Sequence, residues 1–374
     1  MIQSSKFGNK KTIIQKLKEL DYILLTSLIL LGFVSLISMY ATDGGEILFH
    51  TRSHFFKLMV FFPMMIILSL FNIKFWHSVG YLFYFVVLVL LILVSLIGVE
   101  ASGSQRWINL YFINLQPSEL MKIAIILCLA KYYHRLKIND VNNFTTILTS
   151  SIIIIIPIIL VLNQPDLGTS ILIGLSGLVV LWLSGLKIKY FLYSFSIFLI
   201  SLPFVISFLK PYQKLRILTF LNPERDPLGS GYQIIQSKIA VGSGGMSGKG
   251  FLKGTQSYLE FLPEKHTDFI FTLYAEQFGF VGSLLLLALY AIIIYRIVVA
   301  GIISRSHFAR LFCFSFSFAI FLYVVINMSM VLGLLPIVGS PLPIMSYGGS
   351  SLLATLIGFS IVLSARINNQ QIIS

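Results

Sequence analysis

Long apolar runs follow one another through almost the whole chain, and that recurrence constrains the fold more than any single motif. Runs of roughly 17 to 25 residues cross a bilayer. They read here as Tyr22 to Ala41, Phe55 to Phe71, Val79 to Gly98, Pro117 to Tyr133, Ile147 to Leu162, Leu167 to Ser184, Tyr190 to Leu209, Phe269 to Arg296, Phe308 to Leu332 and Gly348 to Ala365. A soluble core does not need one such segment after another. Charged residues make up 11% of the chain and hydrophobic ones 57%, where a soluble domain carries about 25% charge. The expected fold is an all-α polytopic membrane protein of about ten transmembrane helices, with one large extracytoplasmic loop between the seventh and eighth.

The formal charge of +13 would suit nucleic acid, so the placement of the cations decides its meaning. With the N-terminus inside, the inner connections and tails hold fifteen cations, from Lys6 to Arg366, against the three acids Glu19, Asp21 and Asp140. The resulting +12 leaves only +1 for the rest of the chain, which is the asymmetry of the positive-inside rule. Both termini are therefore expected in the cytoplasm, as a basic arm over 1–21 and a tail over 367–374, flanking one transmembrane domain over 22–366. The arm is expected to lie against anionic membrane lipids, with no nucleic acid partner. The first apolar run is too long for a signal peptide's core and is expected to remain. Cys128 and Cys313 fall inside spans, which supports neither a disulfide framework nor a thiolate metal site.

Residues 210–268 form the large loop. A helix is expected over Tyr232 to Val241, and Tyr212, Tyr258 and Phe261 give the loop bulk to order itself. Its eight cations and five acids make it locally cationic by +3, a surface suited to an anionic lipid headgroup. Gly242, Gly244, Gly245, Gly248 and Gly250 could bring backbone N–H groups to a phosphate or could form a plain hinge. No spacing here is that of a P-loop.

Ionisable residues near hydrocarbon are expensive and are functional hypotheses by default. Glu119 and Lys122 share a helix face at i,i+3 and read equally as a structural ion pair or as groups that orient a substrate. Arg106 beside Trp107 suits interface anchoring or phosphate clamping. Asp166, ahead of the sixth span, reads as a helix cap. Asp268 reads as either a cap or a poised base, in a polar cluster with Pro263, Glu264 and His266, with Glu276 deeper in the span.

Six blocks now line up: Gln116-Pro-Ser-Glu-Leu-Met-Lys122, Gln164-Pro-Asp-Leu-Gly-Thr169, Asn222-Pro223 through Gly231-Tyr-Gln233, Gly242-Ser-Gly-Gly245, Leu262-Pro-Glu264 through His266-Thr-Asp-Phe-Ile-Phe271, and Pro341-Leu-Pro343 through Ser346-Tyr-Gly-Gly-Ser-Ser351. In residues and order they resemble the SEDS proteins (shape, elongation, division and sporulation), and Pro336-Ile-Val-Gly339 is nearer the RodA-like branch than the FtsW-like one. Gln277, where a second acid often stands, and Asn114, where a basic residue often stands, depart from the pattern.

The resemblance implies a peptidoglycan glycosyltransferase of the bacterial cytoplasmic membrane that polymerises lipid II, the undecaprenyl-pyrophosphate-linked disaccharide peptide, into β-1,4 glycan strands during cell elongation. It assigns Asp268 the general base. Arg106, Gln116, Glu119, Lys122, Arg216 and Ser346 become substrate-binding or orienting residues, and a divalent cation, Mg or Mn, could assist although no ligand spacing marks its site. Cross-linking would come from a class B penicillin-binding protein. A precursor flippase and a non-catalytic scaffold of the cell-wall machinery remain the rival readings.

Overall fold

The computed structural model describes residues 11–101, 104–109, 114–208, 211–226, 229–254 and 264–373. A short helix α1 (Ile13–Lys18) leads into α2 (Tyr22–Thr42), α3 (Phe49–Ser69) and α4 (Ile73–Ile97). Then follow three small strands, β1 (Val99–Ala101), β2 (Ser104–Asn109) and β3 (Asn114–Leu115), paired antiparallel in the order β1-β2-β3. The helices resume with α5 (Pro117–His134), α6 (Phe144–Asn163), α7 (Leu167–Leu183), α8 (Ile188–Phe208), α9 (Pro211–Leu221) and α10 (Ser230–Ser243). The last three are α11 (Ile270–Ile303), α12 (His307–Val331) and α13 (Gly349–Ile367).

Seven of these, α2, α3, α4, α6, α11, α12 and α13, are long and apolar enough to cross a membrane, and α7 and α8 are apolar but shorter in their described parts. The chain is thus a helical, multi-pass membrane protein. The eighth apolar run was expected to end at Arg296, but its helix continues to Ile303, because Ile297 to Ile303 is apolar throughout.

The exception is α5, whose 18 residues include Glu119, Lys122 and Lys131. It occupies the centre of the bundle, buried from Pro117 through Lys131 and packed against α4, α7, α12 and α13. Charges facing lipid would be costly, so the helix that bears them is the one the others enclose. Its start is written locally: Pro117 sits at the first turn, where a missing N–H costs nothing. Asp21 and Asp166 cap α2 and α7 by accepting from Leu24 N at 3.1 Å and Thr169 N at 3.2 Å.

Helices α9 and α10 order the long connection between α8 and α11, and the helix expected over Tyr232 to Val241 lies inside α10. Tyr258, Phe261 and Pro263 lie outside the described residues. The glycine run is neither an open phosphate cradle nor a free hinge. It docks onto α11 where that helix breaks, at Gly279 with φ 65°. Lys249 N and Gly250 N donate to Glu276 O and Gln277 O at 3.0 and 3.1 Å, while Phe280 N donates to Gly245 O at 2.9 Å. A Cβ on Gly248 would stand 2.0 Å from Gln277 O, so only glycine admits this approach. Lys249 Nζ then meets the buried Glu276 carboxylate at 2.7 Å.

Candidate functional site

Asp268 lies in the turn before α11. The N-cap position of that helix is Phe269, and no side chain caps it, so the capping role open to Asp268 on sequence is not the one it plays. Its carboxyl is left available, while the backbone around it is pinned from three directions. Asn327 of α12, fully buried, donates through Nδ2 to Asp268 O at 2.9 Å and to Ser340 O at 2.7 Å. Ser346 Oγ donates to Thr267 O at 2.6 Å and accepts from Leu342 N at 2.7 Å. Tyr347 N donates to His266 O at 2.8 Å. The connection between α12 and α13 therefore forms a floor on which the aspartate stands, and a Cβ on Gly339 would be 3.5 Å from Asp268 Oδ2.

Asp268 keeps partial contact with solvent. The protein around its carboxyl nevertheless pushes the pKa from the usual carboxylate range up to about 7, through burial first, then the like charges of Glu264 and Asp166, with Glu119 adding and Arg216 opposing. Desolvation and neighbouring acids both disfavour the charged form.

Asp166 is more than a cap. Its Oδ2 accepts from Gln116 Nε2 at 3.3 Å and lies 3.6 Å from Arg106 Nη1. Arg106, on β2, also donates to the carbonyls of Gln164 and Pro165 at 3.3 and 2.5 Å. These contacts strap the small sheet to the N-terminus of α7. Gln116 is tied in turn to α13 by donation from its N–H to Ser350 Oγ at 2.8 Å. Gly168 packs so closely on the α12–α13 connection that a Cβ there would be 2.0 Å from Val338 O, which carries Asp166 toward Gly339 and hence toward Asp268.

Glu119 and Lys122 pair at 2.7 Å with side chains 5% and 2% exposed, and the ammonium also sits 4.4 Å from the centre of the Tyr323 ring. Buried charges persist only when partnered in this way. Arg216, on the exposed side of α9, donates to Ile337 O at 3.3 Å and is the cation felt by Asp268.

The sequence-derived residues thus fall into one neighbourhood with distinct positions. Arg216 and Glu119 both act electrostatically on Asp268, Lys122 is held by Glu119, Arg106 and Gln116 converge on Asp166, and Ser346 is committed to the backbone beneath Asp268. Sequence reading gave Asp166 only a capping role and missed Asn327, although an amide amid the apolar run of Phe308 to Leu332 was a signal, since it is costly there without partners.

A family model described as "Cell cycle protein", covering FtsW, RodA and SpoVE, matches residues 18–371. The peptidoglycan glycosyltransferase MrdB of Escherichia coli K12 is 40% identical over 367 residues, 97% of this chain and 98% of that protein. A probable peptidoglycan glycosyltransferase FtsW of Buchnera aphidicola is 37% identical over 326 residues, 86% of this chain and 85% of that protein. Among solved structures, one described under "Structural coordination of polymerization and crosslinking by a peptidoglycan synthase complex" superposes with a TM-score of 0.81 at 30% identity, covering 94% of this chain and 99% of that one.

Proposed function

The chain belongs to the cell cycle protein family of FtsW, RodA and SpoVE, and we propose that it is a peptidoglycan glycosyltransferase that polymerises lipid II with Asp268 as general base. One observation carries the reading: motif blocks scattered from Arg106 to Ser351 meet at one end of the bundle, around the Asp268 carboxyl, whose backbone is held by Asn327 and whose side chain does not cap α11.

The donor sugar leaves as undecaprenyl pyrophosphate, already a good leaving group, so the protein needs a base more than an acid. Asp268 takes the proton of the acceptor's GlcNAc 4-hydroxyl as that oxygen attacks the donor's anomeric carbon. The bond to pyrophosphate breaks with its electron pair, and inversion of the α-linked donor gives a β-1,4 bond. Arg216, open to solvent and near Asp268, receives the departing negative charge. Arg106 and the Glu119–Lys122 pair hold the walls of the site. Glu264, Asp166 and Glu119 act on Asp268 as like charges, but no three of these carboxylates bring ligand atoms together among the described residues. A Mg or Mn ion here would rest on one or two carboxylates and the pyrophosphate, where it would supply further charge neutralisation.

The reading places this end of the bundle outside the bacterial inner membrane and both termini in the cytoplasm. Support comes from the opposite end, where Lys11 Nζ donates to Ile367 O at 2.7 Å and Arg296 meets Asp21 at 2.7 Å, gathering the cations that the positive-inside rule assigns to the cytoplasm. The likeness of Pro336-Ile-Val-Gly339 to the RodA-like branch favours a role in elongation. Cross-linking would be supplied by a class B penicillin-binding protein beside it.

Reconstitution of the purified chain into vesicles with lipid II tests the function. Glycan polymer is the expected product. Headgroup translocation without polymer would instead make the protein a flippase, and neither activity would leave a scaffold.

A further inference from the structure

Asp43, His50 and His266 come from the end of α2, the start of α3 and the turn before α11, and each offers a ligand atom within 4.8 Å of the other two. We infer that these three side chains form a binding site for one borderline transition-metal cation of the Zn2+ class, separate from the Asp268 carboxyl.

The carboxylate is already aimed. Asp43 Oδ2 accepts from Thr51 N at 3.2 Å and from Thr51 Oγ1 at 2.6 Å, which turns Oδ1 toward His266 Nε2 at 3.4 Å. Two ligands on a tetrahedral ion with bonds of about 2.0–2.1 Å stand about 3.4 Å apart, so this pair has the separation before any ion arrives. Hydrogen bonds from outside the ligand set, such as those of Thr51, orient metal-binding carboxylates generally.

His266 is 9% exposed, and its Nδ1 has no hydrogen-bond partner among the described residues. Coordination through Nε2, the nitrogen that faces Asp43, would place the ring proton on Nδ1 and fix the tautomer. His50 stacks on His266 with ring centres 4.1 Å apart and planes 13° from parallel. Parallel rings do not direct lone pairs to one point, so ligation turns His50, a half-buried residue in the first turn of α3. Two imidazoles and one carboxylate leave a fourth position open and select Zn2+-like ions over Mg2+ or Ca2+, which demand oxygen.

Occupancy would tie the α2–α3 hairpin to the turn that carries Asp268, two residues beyond His266. The test uses the full chain, purified in detergent, stripped with EDTA and dialysed against Zn2+ or Mg2+. The expected result is one retained equivalent of Zn2+, no retained Mg2+, and the intense visible absorption of tetrahedral Co2+ on substitution. His50→Ala and Asp43→Asn should each lose that equivalent while unfolding in EDTA at the parent's temperature. Thr51→Val should weaken Zn2+ binding about tenfold, and His134→Ala, at the other end of the bundle, should leave it unchanged. Failure of the parent to retain Zn2+, or retention of the full equivalent by both His50→Ala and Asp43→Asn, would overturn the site in favour of a hydrogen-bonded His–Asp pair under a stacked ring.

Discussion

At the end of the bundle that gathers the termini, several cations meet oxygens that would otherwise be spare. Lys16 donates to Leu70 O at 2.6 Å at the C-terminus of α3, Arg296 binds Asp21 through three N–H···O contacts, and Arg310 Nη2 donates to Ser304 O at 3.3 Å at the C-terminus of α11. Helix C-termini present spare carbonyls, so cations there relieve a local deficit. The opposite end is arranged otherwise. Glu119, Asp166, Glu264 and Asp268 share one electrostatic field, and the result is a carboxyl pushed up to about 7. One end settles its charges, and the other keeps unlike demands in tension. Such tension is characteristic of sites that do chemistry.

The sharpest way to break this contrast is Asp268→Asn. Polymerisation of lipid II should fall by about 10²- to 10⁴-fold, the share a positioned base supplies. Folding should be unchanged, since Asn327 bonds the backbone carbonyl of residue 268. An amide that kept near-parental polymer yield would remove the base from the account.

Glu119→Ala should come next, costing about 3–5 kcal/mol of stability because it strands Lys122 in the core. The charge swap Glu119→Lys with Lys122→Glu should recover most of it, as read by thermal unfolding in detergent. Equal stability of the alanine variant and the parent would show that the pair does not hold α5 in place. A smaller loss, about 1–3 kcal/mol, is expected for Gly168→Ala, whose methyl meets Val338 O in a packed contact. Polymer yield should fall with it as the connection carrying Gly339 shifts beneath Asp268. Lys16→Ala, at the settled end, should change stability by no more than about 0.5 kcal/mol and polymer yield not at all. A loss there comparable to that of Glu119→Ala would erase the distinction between the ends.

Much of the fold was legible because hydrocarbon leaves a long apolar run few options besides a helix. Pro117 and Asp166 marked helix starts through local chemistry alone. Asp268 was ambiguous on local chemistry: its position before an apolar run fits a cap as well as a base, and the observed start at Ile270, with Phe269 as the N-cap residue, removes the cap. The glycine run was ambiguous for a different reason, since its partner, the break at Gly279, lies well beyond it in the chain. Asp43 and His266 are further apart still, and no spacing rule joins residues that meet only when α2, α3 and α11 pack. The strands over 99–115 were likewise unforeseen, because a few residues of pairing carry too little periodicity to stand out.

Everything proposed for Asp268 depends on which way its end of the bundle faces, since one miscounted span would put the base in the cytoplasm. Ile47, 72% exposed in the α2–α3 connection, and Ile138, 87% exposed between α5 and α6, report on the two ends, and the native Cys128 and Cys313 are buried. An impermeant thiol reagent added to intact spheroplasts should label Ile47→Cys and leave Ile138→Cys unlabelled until the membrane is opened. Labelling of Ile138→Cys alone in intact cells would contradict the orientation and, with it, polymerisation by Asp268 at the outer face.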